Sequence, residues 1–269
     1  MSDHLYEAYA IAYARHERGA AENFIGGDPH NGPMPLNYYV WVLRNAARTI
    51  VVDTGFDQRG AQLRGRTIVH PVHEGLSALG VDPETVQDVV ITHMHYDHAG
   101  NDGLFPRARF HLQDSEMGFA TGRCMCHPGM NHPYELEDVV AMVRRVYAGR
   151  VCFHGGDSAP FPGITLHHVG GHARGLQALR VETPRGPVVI ASDTAHHYAH
   201  LRRRKVFPTV DSVADVFAGY ERLEQLAPGL DHIIPGHDPL VAELYPSHSS
   251  ATAGWISRLD AVPKPLPAL

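Results

Sequence analysis

The chain has 269 residues, enough to bury a substantial core, and its 43% hydrophobic and 19% charged residues are an ordinary globular mixture. A formal net charge of −6 argues against broad electrostatic attraction to nucleic acid or to anionic membrane. No apolar run approaches the ~20 residues of a membrane span. The N-terminal "MSDHLYEAYAIAYARHERG" lacks a basic segment followed by an apolar one, so no secretory leader is expected. Three cysteines, Cys124, Cys126 and Cys152, cannot build a full disulfide framework, which points to a reducing, cytoplasmic setting. Arginine far outnumbers lysine, which occurs only at Lys205 and Lys264, and 21 histidines are scattered through the chain.

In chain order, "LYEAYAIAY" (5–13) reads as an opening strand diluted by alanine, followed by the Gly/Pro loop "FIGGDPHNGPMPL". "NYYVWVL" (37–43) and "RTIVVDTG" (48–55) are β-rich runs joined across "RNAA" as a hairpin. "HEGLSALG" (73–80) reads as a short helix ended by Gly80. "VQDVVIT" (86–92) and "ARFHLQ" (108–113) are further strands, and "DSEMGFA" (114–120) is a helix with Asp114 or Ser115 as its cap. "YELEDVVAMVRRVY" (134–147) is amphipathic, with Leu136, Val139, Val140, Val143 and Val146 on one side. A second set of strands follows in "RVCF", "ITLHHV", "LQALRVET" and "PVVIAS", then a helix over 212–227, the strand and loop "DHIIPGHD", and an irregular Pro-rich tail. Two similar halves with no composition break predict one α/β domain over 1–269, sheets inside and helices outside.

The chemistry gathers at "ITHMHYDHAG" (91–100). Side chains at i and i+2 of a strand point the same way, so His93 and His95 can reach one ion together. Asp97 and His98 lie past the strand end, where α/β folds place ligands. Imidazole with carboxylate suits Zn²⁺, with Fe or Mn possible. Each ion needs about three or four ligands, so four residues cannot complete two sites. His172 in "HHVGGHARG", Asp193 in "VVIASDTA" and His237 in "HIIPGHDP" are three more candidates, each following an apolar strand. Gly170, Gly171 and Gly236 let the backbone turn beside a crowded site.

H-x-H-x-D-H followed by G-H, S-D and P-G-H-D resembles the metallo-β-lactamase superfamily, from "VVDTGFD" (51–57) to "PGHDP" (235–239). The resemblance implies a four-layer αββα sandwich with a dinuclear centre at one edge. By motif, His93, His95 and His172 hold the first metal, Asp97, His98 and His237 the second, and Asp193 bridges them. Asp53 of "DTG" reads either as a turn former or as a carboxylate supporting the ligands from behind. "CMCHPGMNH" (124–132) reads as loop packing near the mouth or a further metal site, and "RRRK" (202–205) as a solvated basic face or a binder of an anionic group. His196 and His197 follow Asp193 closely enough to belong to the site or merely to neighbour it.

Two Zn²⁺ ions that share a water would lower its pKa towards neutrality, giving a bridging hydroxide to attack a carbonyl, with Asp97 carrying the proton. The implied reaction is metal-assisted hydrolysis. Secreted β-lactamases need an export signal, the best known with Cys at the Asp193 position, and glyoxalase II needs a helical C-terminal region where only 32 residues follow His237 here. Nuclease-type relatives want a basic surface. Chain length, "PMPLNYYVW", "VVDTGFD" and the ligand spacing resemble N-acyl-homoserine lactonases and similar small lactonases. Those enzymes commonly have Tyr three residues after the bridging Asp, where this chain has His196, with Tyr198 two further on. The expected partner is therefore a small lactone, with a homodimer possible. The alternatives are another cyclic ester, a cyclic amide or a thioester. A single-iron sulfur dioxygenase is a different class, and the full second ligand set argues against it.

Overall fold

The computed structural model describes residues 3–268. Met1, Ser2 and Leu269, the ends of the expected 1–269 unit, lie outside the described residues. In chain order the strands are β1 (Glu7–His16), β2 (Leu36–Arg44), β3 (Thr49–Val52), β4 (Thr67–Ile68), β5 (Asp88–Val90), β6 (Arg109–Gln113) and β7 (Val151–His154). They continue as β8 (Ser158–Phe161), β9 (Ile164–His168), β10 (Gln177–Thr183), β11 (Gly186–Ser192), β12 (Ile233–Pro235) and β13 (Ile256–Arg258). One sheet has the order β13-β1-β2-β3-β5-β6-β7, with β4 also on β1; the other runs β12-β11-β10-β9-β8.

Three apolar clusters set the layers. Between the sheets lie Trp41, Leu43, Val52 and Val90 of the first and Leu166, Leu179, Val188 and Ile190 of the second. The outer face of the first sheet buries Ile11, Val40, Val51, Val89 and Phe110 against Leu76, Phe119 and Met142 of three helices. The outer face of the second packs Ala178, Val189 and Ala191 on Val216, Tyr220 and Leu223 of helix Val213–Leu226. Helix, sheet, sheet, helix is the expected αββα order. Strands covered on both faces read as continuous apolar runs rather than alternations.

The alanines that weakened the first strand have a packing reason. Ala8, Ala10 and Ala12 face the second sheet, and their register partners on β2 are Leu43, Trp41 and Tyr39. Small residues on one strand accept large ones beside them, so β1 is longer than its propensity suggests.

Several local expectations need correction. Helix Asp114–Ala120 begins after Gln113, and neither Asp114 nor Ser115 caps it. Leu136, assigned to the buried face of its helix, is the first helical residue and 69% exposed; Val139 and Met142 are the buried residues. Helix Gln58–Arg64 was not anticipated, although Asp57 accepts from the backbone of Gly60 at its start and Gly65, at φ 64°, ends it. Strands β8 and β13 and helix Tyr198–Arg203 were also unforeseen. No helix among the described residues is long and apolar enough to cross a membrane.

The fold brings strand ends from both sheets to one edge. Asp53 follows β3 and His93 follows β5, which run parallel; Asp193 follows β11 and His237 follows β12, likewise parallel. Convergent carboxyl ends of parallel strands are where α/β sheets carry ligands.

Candidate metal centre

Two strained turns aim the carboxylates. Asp53 has φ 60° and Ser192 has φ 47°, left-handed conformations that Asp tolerates better than most residues and that bend the chain sharply after β3 and β11. The turn then feeds Asp53 back under the site. Its Oδ1 accepts from the Thr92 amide (2.7 Å), and its Oδ2 accepts from the Thr92 hydroxyl (2.8 Å) and from His98 Nδ1 (2.7 Å). Asp53 is thus both turn former and partner of His98. Gly236 is a matter of space: a Cβ there would stand 2.3 Å from Asp193 Oδ1.

Seven side chains converge. The ligating atoms of His93, His95 and His172 lie within 4.8 Å of one another, as do those of Asp97, His98, Asp193 and His237. Asp193 stands between the groups: its Oδ2 is 3.2 Å from His172 Nε2 and 3.9 Å from His93 Nε2. Its Oδ1 is 3.0 Å from His237 Nε2 and 3.5 Å from His98 Nε2. Asp97 Oδ2 lies 3.6 Å from both His98 Nε2 and His237 Nε2.

The outer ring nitrogens decide the tautomers. His172 Nδ1 donates to the carbonyl of Thr209 (2.6 Å) and His237 Nδ1 to that of Asn37 (2.9 Å). A carbonyl can only accept, so Nδ1 carries a proton and Nε2, facing inward, is the atom left for a cation. His98 is set the same way by Asp53. The Nε2 atoms of His93, His98 and His172 and the Oδ1 of Asp193 are buried without a hydrogen-bond partner. Orphaned buried acceptors are costly unless something binds them, and imidazole and carboxylate donors in two groups fit two divalent cations.

Electrostatics divide the set. Burial opposes charge on His98 and His237, but Asp97, Asp193 and Asp53 around His98, and Asp193 and Asp97 around His237, outweigh it. Both are raised above the ordinary imidazole range, so each would release a proton on binding a cation. Burial, reinforced by neighbouring imidazoles, holds His93 and His95 well below the ordinary imidazole range, in the neutral ligating form. Burial opposes the charge of Asp193, but His237, His98, His196 and His172 outweigh it and hold the carboxyl well below its usual range.

Glu116 was not singled out in the sequence. Fully buried, it accepts from the Met94 amide (2.9 Å), the Tyr134 hydroxyl (3.0 Å) and the Gly175 amide (2.8 Å). It therefore ties the turn carrying His93 and His95 to the loop carrying His172. Its only sequence signal was a charge inside an otherwise half-buried helix.

The centre opens into a cleft of about 100 Å³, lined by Tyr38, Tyr96, His95, Asp97, His196 and His237 among others. His196 stacks on Phe207 at 3.7 Å with its buried Nε2 3.2 Å from Asp193 Oδ2, so it belongs to the site by position. His197 turns away and meets the carbonyl of Pro35 at 3.2 Å. Tyr198 is buried between the sheets, whereas the hydroxyls of Tyr38 and Tyr96, 3.3 Å apart, stand at the cleft. Arg202–Lys205 lie outside the cleft lining: Arg203 pairs with Asp28 and Arg204 with Glu224. Gly129, Met130 and His132 of the "CMCHPGMNH" segment wall an adjoining space that shares His95 and His172, and no cysteine joins a potential metal cluster among the described residues.

Residues 33–265 match the family model of the metallo-beta-lactamase superfamily. An N-acyl homoserine lactonase of a Bacillus species is 24% identical over 66% of this chain and 72% of its own length. The N-acyl homoserine lactonase AttM of Azorhizobium caulinodans is 28% identical over 65% and 66%, and that of Rhizobium radiobacter is 28% identical over 61% and 62%. Such alignments thus span roughly two thirds of those relatives. A quorum-quenching N-acyl homoserine lactone lactonase of known structure superposes with TM-score 0.71 at 20% identity, covering 88% of this chain and 94% of that one. A probable metal-dependent hydrolase from Staphylococcus aureus gives 0.71 at 19% identity over 91% and 92%. AidC, a dizinc lactonase, gives 0.64 at 15% identity over 88% and 89%.

Proposed function

The chain belongs to the metallo-β-lactamase superfamily as a metal-dependent hydrolase, and on that premise we propose that it opens the ring of a small lactone, N-acyl-homoserine lactone or a close relative, with two Zn²⁺ ions. The observation that carries the reading is the inward convergence of seven buried ligating side chains, with the outer nitrogens of His98, His172 and His237 already held by protein acceptors. His93, His95 and His172 would hold one ion, Asp97, His98 and His237 the other, with Asp193 between them.

When bound, the ions polarise a carbonyl and make water acidic near neutral pH. The protein's own groups do the rest. Asp97 reaches the cleft and is the carboxylate that accepts the proton of the attacking water and returns it to the leaving alkoxide. His196, held flat against Phe207, takes the place where similar lactonases have Tyr and orients the ring carbonyl or the departing oxygen. All seven ligands come from one chain, so the centre needs no second copy, and a quorum-quenching role, the one printed for a similar lactonase structure, and a cytoplasmic setting belong to the same proposal.

The test is acid release by zinc-loaded protein given short- and long-chain acyl-homoserine lactones, with chelated protein as control. Rapid, chelator-sensitive acid production is expected, and His196→Phe should lower kcat/KM by about 10- to 100-fold. No acid above the control with any lactone contradicts the reading. An unchanged kcat/KM in His196→Phe removes that residue's role.

A further inference from the structure

Part of the cleft lining is cationic in a chain of net charge −6. Arg18, Arg64 and Arg66 all line it. Arg64 is engaged in structure: it donates to the carbonyls of His132 and Tyr134, lies 3.7 Å from Glu135 Oε2 and covers the Tyr96 ring at 4.6 Å. Arg18 donates to the Glu22 carbonyl (2.7 Å), its Nε is buried without an acceptor, and its nearest carboxylate oxygen, on Glu22, is 4.0 Å away.

Arg66 differs from both. Its Nε donates to the Tyr96 hydroxyl (3.1 Å), and its Nη1 donates to the Arg64 carbonyl (2.6 Å) and sits 3.2 Å from His16 Nε2. Among the described residues no carboxylate lies within ion-pair distance of it. Burial and then Arg66 and Arg18 push His16 down to about 4, so the nearest titratable ring stays neutral and does not offset the charge. The acidic groups that do reach the cleft, Asp97 and Asp193, face the histidines. A half-buried guanidinium without a counter-ion, whose Nε and Nη1 are fixed by Tyr96 and Arg64, is held in one orientation with its Nη2 donors left for a carboxylate.

We propose that Arg66, flanked by Arg18, sets substrate choice, and that the preferred lactone carries a carboxylate outside the ring ester, bound by this pair while the ester carbonyl meets the histidines. The proposal rests on the lactonase reading for its chemistry but not for its binding step. It accounts for a role the basic Arg202–Lys205 stretch cannot fill, since those residues lie away from the cleft.

Two readouts separate the claims. The first is binding to chelated, metal-free protein of a saturated five-membered carbocycle bearing a carboxylate, compared with its methyl ester, by calorimetry at low salt. The carboxylate should bind at least ten-fold more tightly than the ester. Arg66→Gln should abolish that difference, Arg66→Lys should retain part of it, and Arg144→Gln, on an exposed helix turn, should leave it unchanged. Equal binding of acid and ester, or a preference indifferent to Arg66→Gln, overturns the proposal. The second is kcat/KM of zinc-loaded protein on a γ-lactone bearing a ring carboxylate and on its methyl ester. A ratio of at least ten in favour of the acid, carried by KM and lost in Arg66→Gln, is expected. A ratio near one overturns the substrate assignment. If neither lactone is opened while the carbocyclic acid still binds through Arg66, the lactonase reading falls and the anion site stands.

Discussion

Two histidine clusters in this protein look alike in composition and differ in kind. At the far side of β6 and β7, His111 and His154 stack, and every ring nitrogen is used. His111 meets His154 Nε2 at 3.1 Å and Asp88 at 3.1 Å, and His154 Nδ1 meets the Ser158 hydroxyl at 2.9 Å. At the edge where strand ends of both sheets meet, His93, His98 and His172 each leave Nε2 buried and unpaired. A histidine count therefore carries little meaning. What distinguishes the ligands is that their inner atoms converge within reach of one another, with outer nitrogens such as those of His98, His172 and His237 fixed by acceptors.

Substitutions can break that contrast. Asp193→Ala removes the oxygen pair between the two groups and should lower both metal content and turnover, the latter by more than about 1,000-fold, as read by metal analysis and acid release. His111→Ala in the paired cluster should keep full metal content. Retained metal and activity in Asp193→Ala would leave the two clusters equivalent.

Glu116→Ala strands the amides of Met94 and Gly175 and the hydroxyl of Tyr134 and should cost about 4 kcal/mol in thermal or urea unfolding of metal-free protein. A loss below about 1 kcal/mol would show that the two ligand loops hold their places without it.

His200 belongs to the paired class and gives a pH signature. Its Nε2 donates to the Asn23 carbonyl and its Nδ1 accepts from the His197 amide, so a second proton has no place. Burial pushes it down to about 4 from 6.5. Between those values the unfolded chain binds the extra proton and the folded one does not. The stability is therefore present above pH 6.5 and lost as pH falls towards 4, by about 3 kcal/mol. Metal-free His200→Phe should show a shallower acid decline than the parent; parallel declines would place the proton elsewhere.

Smaller still, Asp53→Asn keeps the turn but weakens the hold on His98 Nδ1, and zinc affinity should drop about 10- to 100-fold in a chelator competition. Unchanged affinity would reduce Asp53 to its turn.

How much of this was legible in the sequence follows the same division. The ligands were readable because each follows an apolar strand, and strand ends are local. Sheets inside and helices outside were readable from the alternation of strand and helix runs, and the four-layer order came with the superfamily resemblance. Glu116, Tyr38 and Arg66 were not, since each reaches the site from an element far away in the chain and resembles an ordinary helix, strand or loop residue where it stands. Tyr198, close to Asp193 in sequence, packs between the sheets instead, because the chain turns into a helix directly after His197. The alanines of β1 misled by propensity alone; only their partners Trp41 and Tyr39 explain them.

The central claim is a two-ion centre that opens lactones, and the most direct test is acid release from an acyl-homoserine lactone as zinc is added back to chelated protein. Activity should rise to a plateau at two equivalents per chain. A plateau at one equivalent, or activity that appears only with a single iron and consumes oxygen, would contradict it.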